Sequence, residues 1–134
     1  MNGMHDERKP MNIIIANSSD LPIYEQITAQ IKNLVMRGEL AENELLPSIR
    51  SLARDLGISV ITTKRAYEEL ERDGYIVSVP GKGSFVAAQN RELLREARIK
   101  VVEDKLSEAV QAAQTVGLTL DELQDMLRLF YAEE

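Results

Sequence analysis

Apolar positions recur along the chain with changing periods, and the changes mark out the elements. Ile23, Ile27, Ile31, Leu34 and Val35 follow one another at helical spacings. They form one stripe on a helix that ends near Gly38. Ser18-Ser19-Asp20-Leu21-Pro22 predicts its start, with Asp20 as cap and Pro22 in the first turn. Residues 12–16 (NIIIA) are apolar and β-branched and predict a short strand. Residues 1–11 are polar and patternless and read as a mobile arm. A loop over Glu39–Leu46 leads to Pro47-Ser48. Ser48 caps a second helix with Ile49, Leu52, Ala53 and Leu56 inward and Gly57 at its end. Ser59 caps a third, whose inward stripe is Ala66, Tyr67 and Leu70 and which stops at Gly74. Thr63 points half inward on this helix.

The pattern then changes to alternation. Tyr75–Val79 and Ser84–Ala87 flank Pro80-Gly81-Lys82-Gly83, which predicts a β-hairpin about a four-residue loop. Helical spacing returns at Arg91. Ile99, Val102, Leu106, Ala109, Ala113 and Val116 recur three and four apart, a coiled-coil-like seam broken by Gly117. Thr119 and Glu122 fit a capping box for a last helix, whose apolar face is Leu123, Met126, Leu127 and Phe130. The fold class is therefore mainly α with a small β-hairpin. Its parts are an arm over 1–11, a winged helix-turn-helix domain over 12–88 and a helical dimerisation tail over 89–134.

Composition narrows the chemistry. The 134 residues include no Cys and a single His, His5. Thiol catalysis, Cys-based metal sites and His triads are thereby excluded, and no metal or cofactor is expected. Glu68-Glu69 and Asp121-Glu122 read as solvated helix charges rather than an acid/base pair. Gly81-Lys82-Gly83 lacks the spacing of a nucleotide-binding phosphate loop. No apolar run is long enough to span a membrane, and Arg8-Lys9 precedes no signal-peptide core. A cytoplasmic, non-enzymatic protein is expected.

What remains is the start of the third helix. A helix that enters the major groove must present its first turns to base edges and phosphates. Ser59, Thr62, Lys64 and Arg65 are of the types that do so. Arg50 and Arg54 share a face of the preceding helix. Residues 47–65 hold four bases and one acid, a local charge of +3 in a chain of net charge −6. Lys82 sits between two glycines at the hairpin tip, where backbone can approach a groove closely. A winged helix can also serve as a protein-interaction module, and the acidic balance keeps that alternative open.

Four ordered motifs carry a family resemblance. They are Leu21-Pro22-Ile23-Tyr24-Glu25-Gln26-Ile27, Leu46-Pro47-Ser48-Ile49-Arg50-Ser51-Leu52-Ala53, Thr62 to Glu71 (TTKRAYEELE) and Gly81-Lys82-Gly83-Ser84-Phe85-Val86. Over about residues 20–87 the chain resembles the GntR family of bacterial transcription regulators. The resemblance implies a sequence-specific regulator of double-stranded DNA, with a repressor as the expected sign. It implies that Arg50 contacts DNA and that Ser59, Thr62 and Lys64 work at the recognition helix, with Arg65 as a further phosphate contact. It also implies that Gly81, with Lys82 beside it, approaches the minor groove. Three positions depart from the pattern. Asn43 replaces a loop glycine, Ser51 replaces a frequent Glu, and Val60 stands where a polar or basic residue or Pro is often found.

The short tail resembles the YtrA branch of that family, which implies a homodimer formed through the tail. The residues agree. Ile99, Val102, Leu106, Ala109, Ala113, Leu123, Leu127 and Phe130 are too many apolar positions for a thin helix pair to bury alone. A small-molecule effector, if sensed, would have room only in the tail, near Met126, Phe130 and Tyr131, or at the dimer interface. Residues 91–134 carry a net charge of −4 and residues 1–90 only −2. The acidity thus lies mainly in the tail, which is expected to face away from DNA, and binding depends on the local field within roughly 8–10 Å.

Overall fold

In a computed structural model of the chain, residues 11–133 are described. The expected arm lies outside them except for Met11, which is half-buried against the core rather than free. The elements are α1 (Ile23–Arg37), α2 (Ile49–Leu56), α3 (Val60–Arg72), β1 (Ile76–Val79), β2 (Gly83–Val86), α4 (Arg91–Val116) and α5 (Leu120–Glu133). They fall into two compact units divided between Arg95 and Glu96.

In the first unit, α3 packs against α1, α2 and β1. Ile27, Ile31, Leu46, Leu70, Ile76 and Val86 are fully buried between them. Thr63 is buried outright rather than half inward, because its hydroxyl donates to the Ser59 carbonyl at 3.1 Å and so is satisfied inside the helix. The Tyr67 hydroxyl donates to the Pro47 carbonyl at 2.7 Å and ties α3 to the loop entering α2. Lys32 on α1 pairs with Asp73 at the end of α3 at 2.9 Å, and this hydrogen bond holds the Asp73 carboxyl below its ordinary pKa.

Two expectations at the start of α1 are corrected. Asp20 is not its cap. The N-cap is Pro22, whose extended ψ of 152° places the helix start two residues later, and no side chain bonds to the free amides there. Residues 12–16 form no strand. They are extended, with Ile13 buried and Ile14 exposed, but their partners are side chains. The Gln30 amide accepts from Ile14 N–H at 2.9 Å and donates to its carbonyl at 2.7 Å. Gln26 does the same for Ala16 at 2.8 and 3.0 Å, and also donates to the Leu21 carbonyl at 2.9 Å. The two glutamines lie four apart on one helix face and serve residues two apart on an extended segment, so each replaces one rung of a ladder. Replacing Gln26 with Ala is expected to destabilise the first unit by about 1–3 kcal/mol, since three hydrogen bonds are lost at a buried position. Urea unfolding would measure this. An unchanged midpoint would show that the segment does not depend on Gln26.

β1 and β2 are antiparallel, with Val79 opposite Gly83. The loop therefore has three residues, not the expected four, because Gly83 pairs. Lys82 N–H donates to the Val79 carbonyl at 2.9 Å, and Gly81 has φ 77°. Pro80 followed by a positive-φ glycine suits this turn and fixes where the tip points. The segment before α2, expected as plain loop, adds a third edge. Val86 N–H donates to the Glu44 carbonyl and Leu46 N–H to the Ser84 carbonyl, both at 2.9 Å, and Leu45 bridges Phe85. Asn43, which stands in place of a loop glycine, takes the left-handed conformation with φ 70°, one that Asn tolerates.

In the second unit, the capping box forms as expected. Thr119 N–H donates to Glu122 Oε1 at 2.9 Å and Glu122 N–H to Thr119 Oγ1 at 3.1 Å. The backbone and side-chain bonds from Thr119 hold the Glu122 carboxyl below its ordinary pKa. Only Ala113 is buried among the α4 and α5 residues described.

Candidate nucleic-acid interface

The two caps and the turn between them set the geometry of α2 and α3. Ser48 Oγ accepts Ser51 N–H at 3.0 Å and starts α2. Gly57, at φ 68°, ends it; a Cβ there would meet no atom, so the requirement is for the dihedral and not for space. Ser59 Oγ then accepts Thr62 N–H at 3.0 Å and starts α3 after a turn of Gly57, Ile58 and Ser59. The buried stripe of Thr63, Ala66, Tyr67 and Leu70 fixes the rotation of α3. Lys64 therefore faces solvent at the start of the helix, as do Ile61 and Arg65 on either side of it.

The hydroxyl pair divides its work. The Ser59 proton is donated to Thr62 Oγ1 at 2.8 Å, so both functions of that hydroxyl are used in the cap. Thr62 retains its own proton for an outside acceptor. Ser59 thus positions Thr62 more than it presents itself.

The four bases also divide. Arg50 and Lys64 are exposed and have no side-chain partner among the described residues. Arg54 is drawn to Asp55 at 3.9 Å and to Ser51 at 3.5 Å. Arg65 is held. Its guanidinium lies 3.7 Å from the centre of the Tyr24 ring and donates to the Tyr24 hydroxyl at 3.0 Å. That hydroxyl donates in turn to Glu25 at 3.1 Å. Tyr24 is half-buried, and burial first and the Glu25 bond second raise its pKa, so it remains a phenol at neutral pH. The sequence pattern did not mark Tyr24 as a site residue, because its partner stands 41 residues away.

The hairpin supplies a second approach. A Cβ on Gly81 would meet nothing within 4 Å, so the tip is open on the side where glycine leaves backbone bare. Lys82 is exposed beside it, without a partner among the described residues. Glu71 on α3 accepts from the Ser78 hydroxyl at 3.0 Å and steadies β1 against α3.

The expected dimerisation residues lie in the second unit. Ala109, Ala113, Leu123, Leu127, Phe130 and Leu106 all line one apolar recess of about 680 Å³ between α4 and α5. Ile99 and Val102 continue the exposed face along α4. No described helix is long and apolar enough to cross a membrane.

Comparison with known proteins agrees with the architecture. Residues 23–86 match the family described as "Bacterial regulatory proteins, gntR family". The HTH-type transcriptional repressor YtrA of Bacillus subtilis (strain 168) is 31% identical over 115 residues, covering 86% of this chain and 88% of that one. Among solved structures, a transcriptional antiterminator from Listeria monocytogenes EGD-e is 36% identical with a TM-score of 0.57, covering 88% of each chain. YtrA from Sulfolobus acidocaldarius, a GntR-family transcription factor, is 32% identical with a TM-score of 0.54, covering 90% of this chain and 97% of that one. With its winged helix-turn-helix, its exposed basic side chains at α2 and α3 and relatives matching over most of their length, the chain belongs to the gntR family of bacterial regulatory proteins, as a YtrA-like, non-enzymatic DNA-binding regulator.

Proposed function

We propose that the protein is a cytoplasmic, homodimeric transcriptional repressor that occludes a promoter by binding a pseudo-palindromic operator. The observation that carries this reading is the outward start of α3. There, among the described residues, Lys64 has no partner and the Thr62 proton has no acceptor, and Arg50 on the neighbouring helix is likewise without a partner. Lys64 and Arg50 neutralise phosphate or pair with guanine, and Thr62 donates to a base or phosphate. Arg65, braced by Tyr24, meets the backbone at the groove edge, while Gly81 and Lys82 reach the minor groove. Residues 12–88 form the DNA-binding domain, and residues 89–134 join two copies. A two-fold dimer sets the half-sites about ten base pairs, or a multiple of that, apart.

Gel shift of the protein's own promoter region at two salt concentrations, followed by footprinting, tests the reading. A specific complex that weakens steeply with salt and protects two related half-sites is expected, since placed phosphate contacts release counterions. Failure to form any specific complex at low salt would overturn it.

A further inference from the structure

α3 carries an apolar side chain that the fold does not use. Ile61, its second residue, is 82% exposed, the highest value among the large hydrophobic side chains described. It is absent from the core and from the partly buried residues packed around it. Val60 before it is 47% exposed. Two β-branched residues in a first turn lower helix propensity slightly and here gain no packing in return. Their position has a different use. Ile61 lies three and four residues before Lys64 and Arg65, so all three share the face turned away from the core. It stands between the Ser59 cap and the free Thr62 hydroxyl.

On the reading that α3 enters the major groove, we infer that Ile61 reads thymine, by packing its branched alkyl group against the 5-methyl. The thymine methyl is the one apolar feature on the major-groove edge of the four standard bases. Against a methyl, an alkyl chain removes apolar surface from water. Against an amino group or a carbonyl it would leave a donor or acceptor without a partner. Ile61 therefore discriminates where an exposed Lys or Thr would accept several bases. Val60 borders the same contact in place of a charged side chain, so this part of the half-site is selected by methyl contact and not by a bidentate hydrogen bond.

The experiment uses a footprinted operator selected from genomic fragments, with each thymine of the half-site replaced in turn by deoxyuridine, which lacks only the methyl. Affinities are measured by fluorescence anisotropy for the full-length protein and for Ile61→Ala and Ile61→Val. The natural chain is expected to lose about three- to tenfold at one or two thymines per half-site. Ile61→Ala should bind the natural operator more weakly by a similar factor and no longer respond to uracil there, while Ile61→Val keeps part of the response. An unchanged melting temperature for Ile61→Ala would show that the loss is at the interface and not in the fold. If the natural chain binds but is indifferent to every uracil, or if Ile61→Ala keeps the full response, the inference is overturned and the DNA-binding reading stands. If the natural chain forms no specific complex, that reading falls and this inference with it.

Discussion

Replacing Lys64 with Ala is expected to weaken operator binding by about 1–3 kcal/mol per half-site, roughly five- to 150-fold, and Arg50→Ala by a similar amount, if each makes a base-specific contact. Each substitution occurs twice in a dimer, so the loss on a full operator is larger than on a half-site. The effect should be confined to binding. Both side chains are exposed and have no partner among the described residues, so neither holds the fold. Surface changes of that kind move stability by only about 0.5 kcal/mol or less. The double variant should lose more specific binding than either single one, because Arg50 and Lys64 are the two bases of residues 47–65 without a side-chain partner among the described residues. Arg54 faces Asp55 and Arg65 lies on Tyr24. Fluorescence anisotropy at fixed salt, beside thermal melts, separates the two readouts. A smaller salt slope for one variant would identify its contact as phosphate. Full operator affinity in both single variants would remove these residues from the interface.

What the sequence made legible was local. Ser48 and Ser59 cap their helices by bonding three residues ahead, and Gly57 ends α2 one residue beyond it. Each is a short-range event with its own residue preference, so order along the chain identifies it. The stripe of Ile27, Ile31 and Val35 is likewise read from spacing, and all three are buried. What escaped was decided by tertiary partners. The β-branched residues 12–16 have strand character, yet Gln26 and Gln30 serve them as side-chain rungs, and nothing in a β-branched run announces a side chain as its partner. The Leu45-Leu46 pair looks like loop until β2 is placed beside it.

The site followed the same division. Residue types at the start of α3 pointed to it, but the capture of Arg65 by Tyr24 needed the packing of α1 against α3. Ile61 is the clearest case. The sequence pattern assigned it no role, inward or outward. Only the rotation of α3, fixed by Thr63, Ala66 and Tyr67 on the opposite side, turns it outward.

The largest effect is expected from the tail. Converting Leu106 to Glu and Ala109 to Asp together should abolish the proposed dimer and lower affinity for a full operator by about 10²- to 10⁴-fold, because the second half-site no longer binds at the raised local concentration that a joined partner gives it. Both residues line the apolar recess with Ala113, Leu123, Leu127 and Phe130, and Leu106 is exposed in the single chain. In one copy the new carboxylates remain in water and cost little. Against a second apolar tail they would be buried without partners, which is far more costly than the loss of a methyl contact. Sedimentation equilibrium should give a mass near one 15.1 kDa chain for the variant and twice that for the natural protein. The charged control Gln111→Glu, on the same helix but outside the recess, should remain dimeric. Unchanged far-ultraviolet circular dichroism in the variant would show that α4 and α5 still form, so that the loss of mass reports on the interface. Half-site affinity should be unaffected, since Arg50, Thr62 and Lys64 belong to the other unit. A double variant that still sediments as a dimer would place the interface elsewhere on the chain.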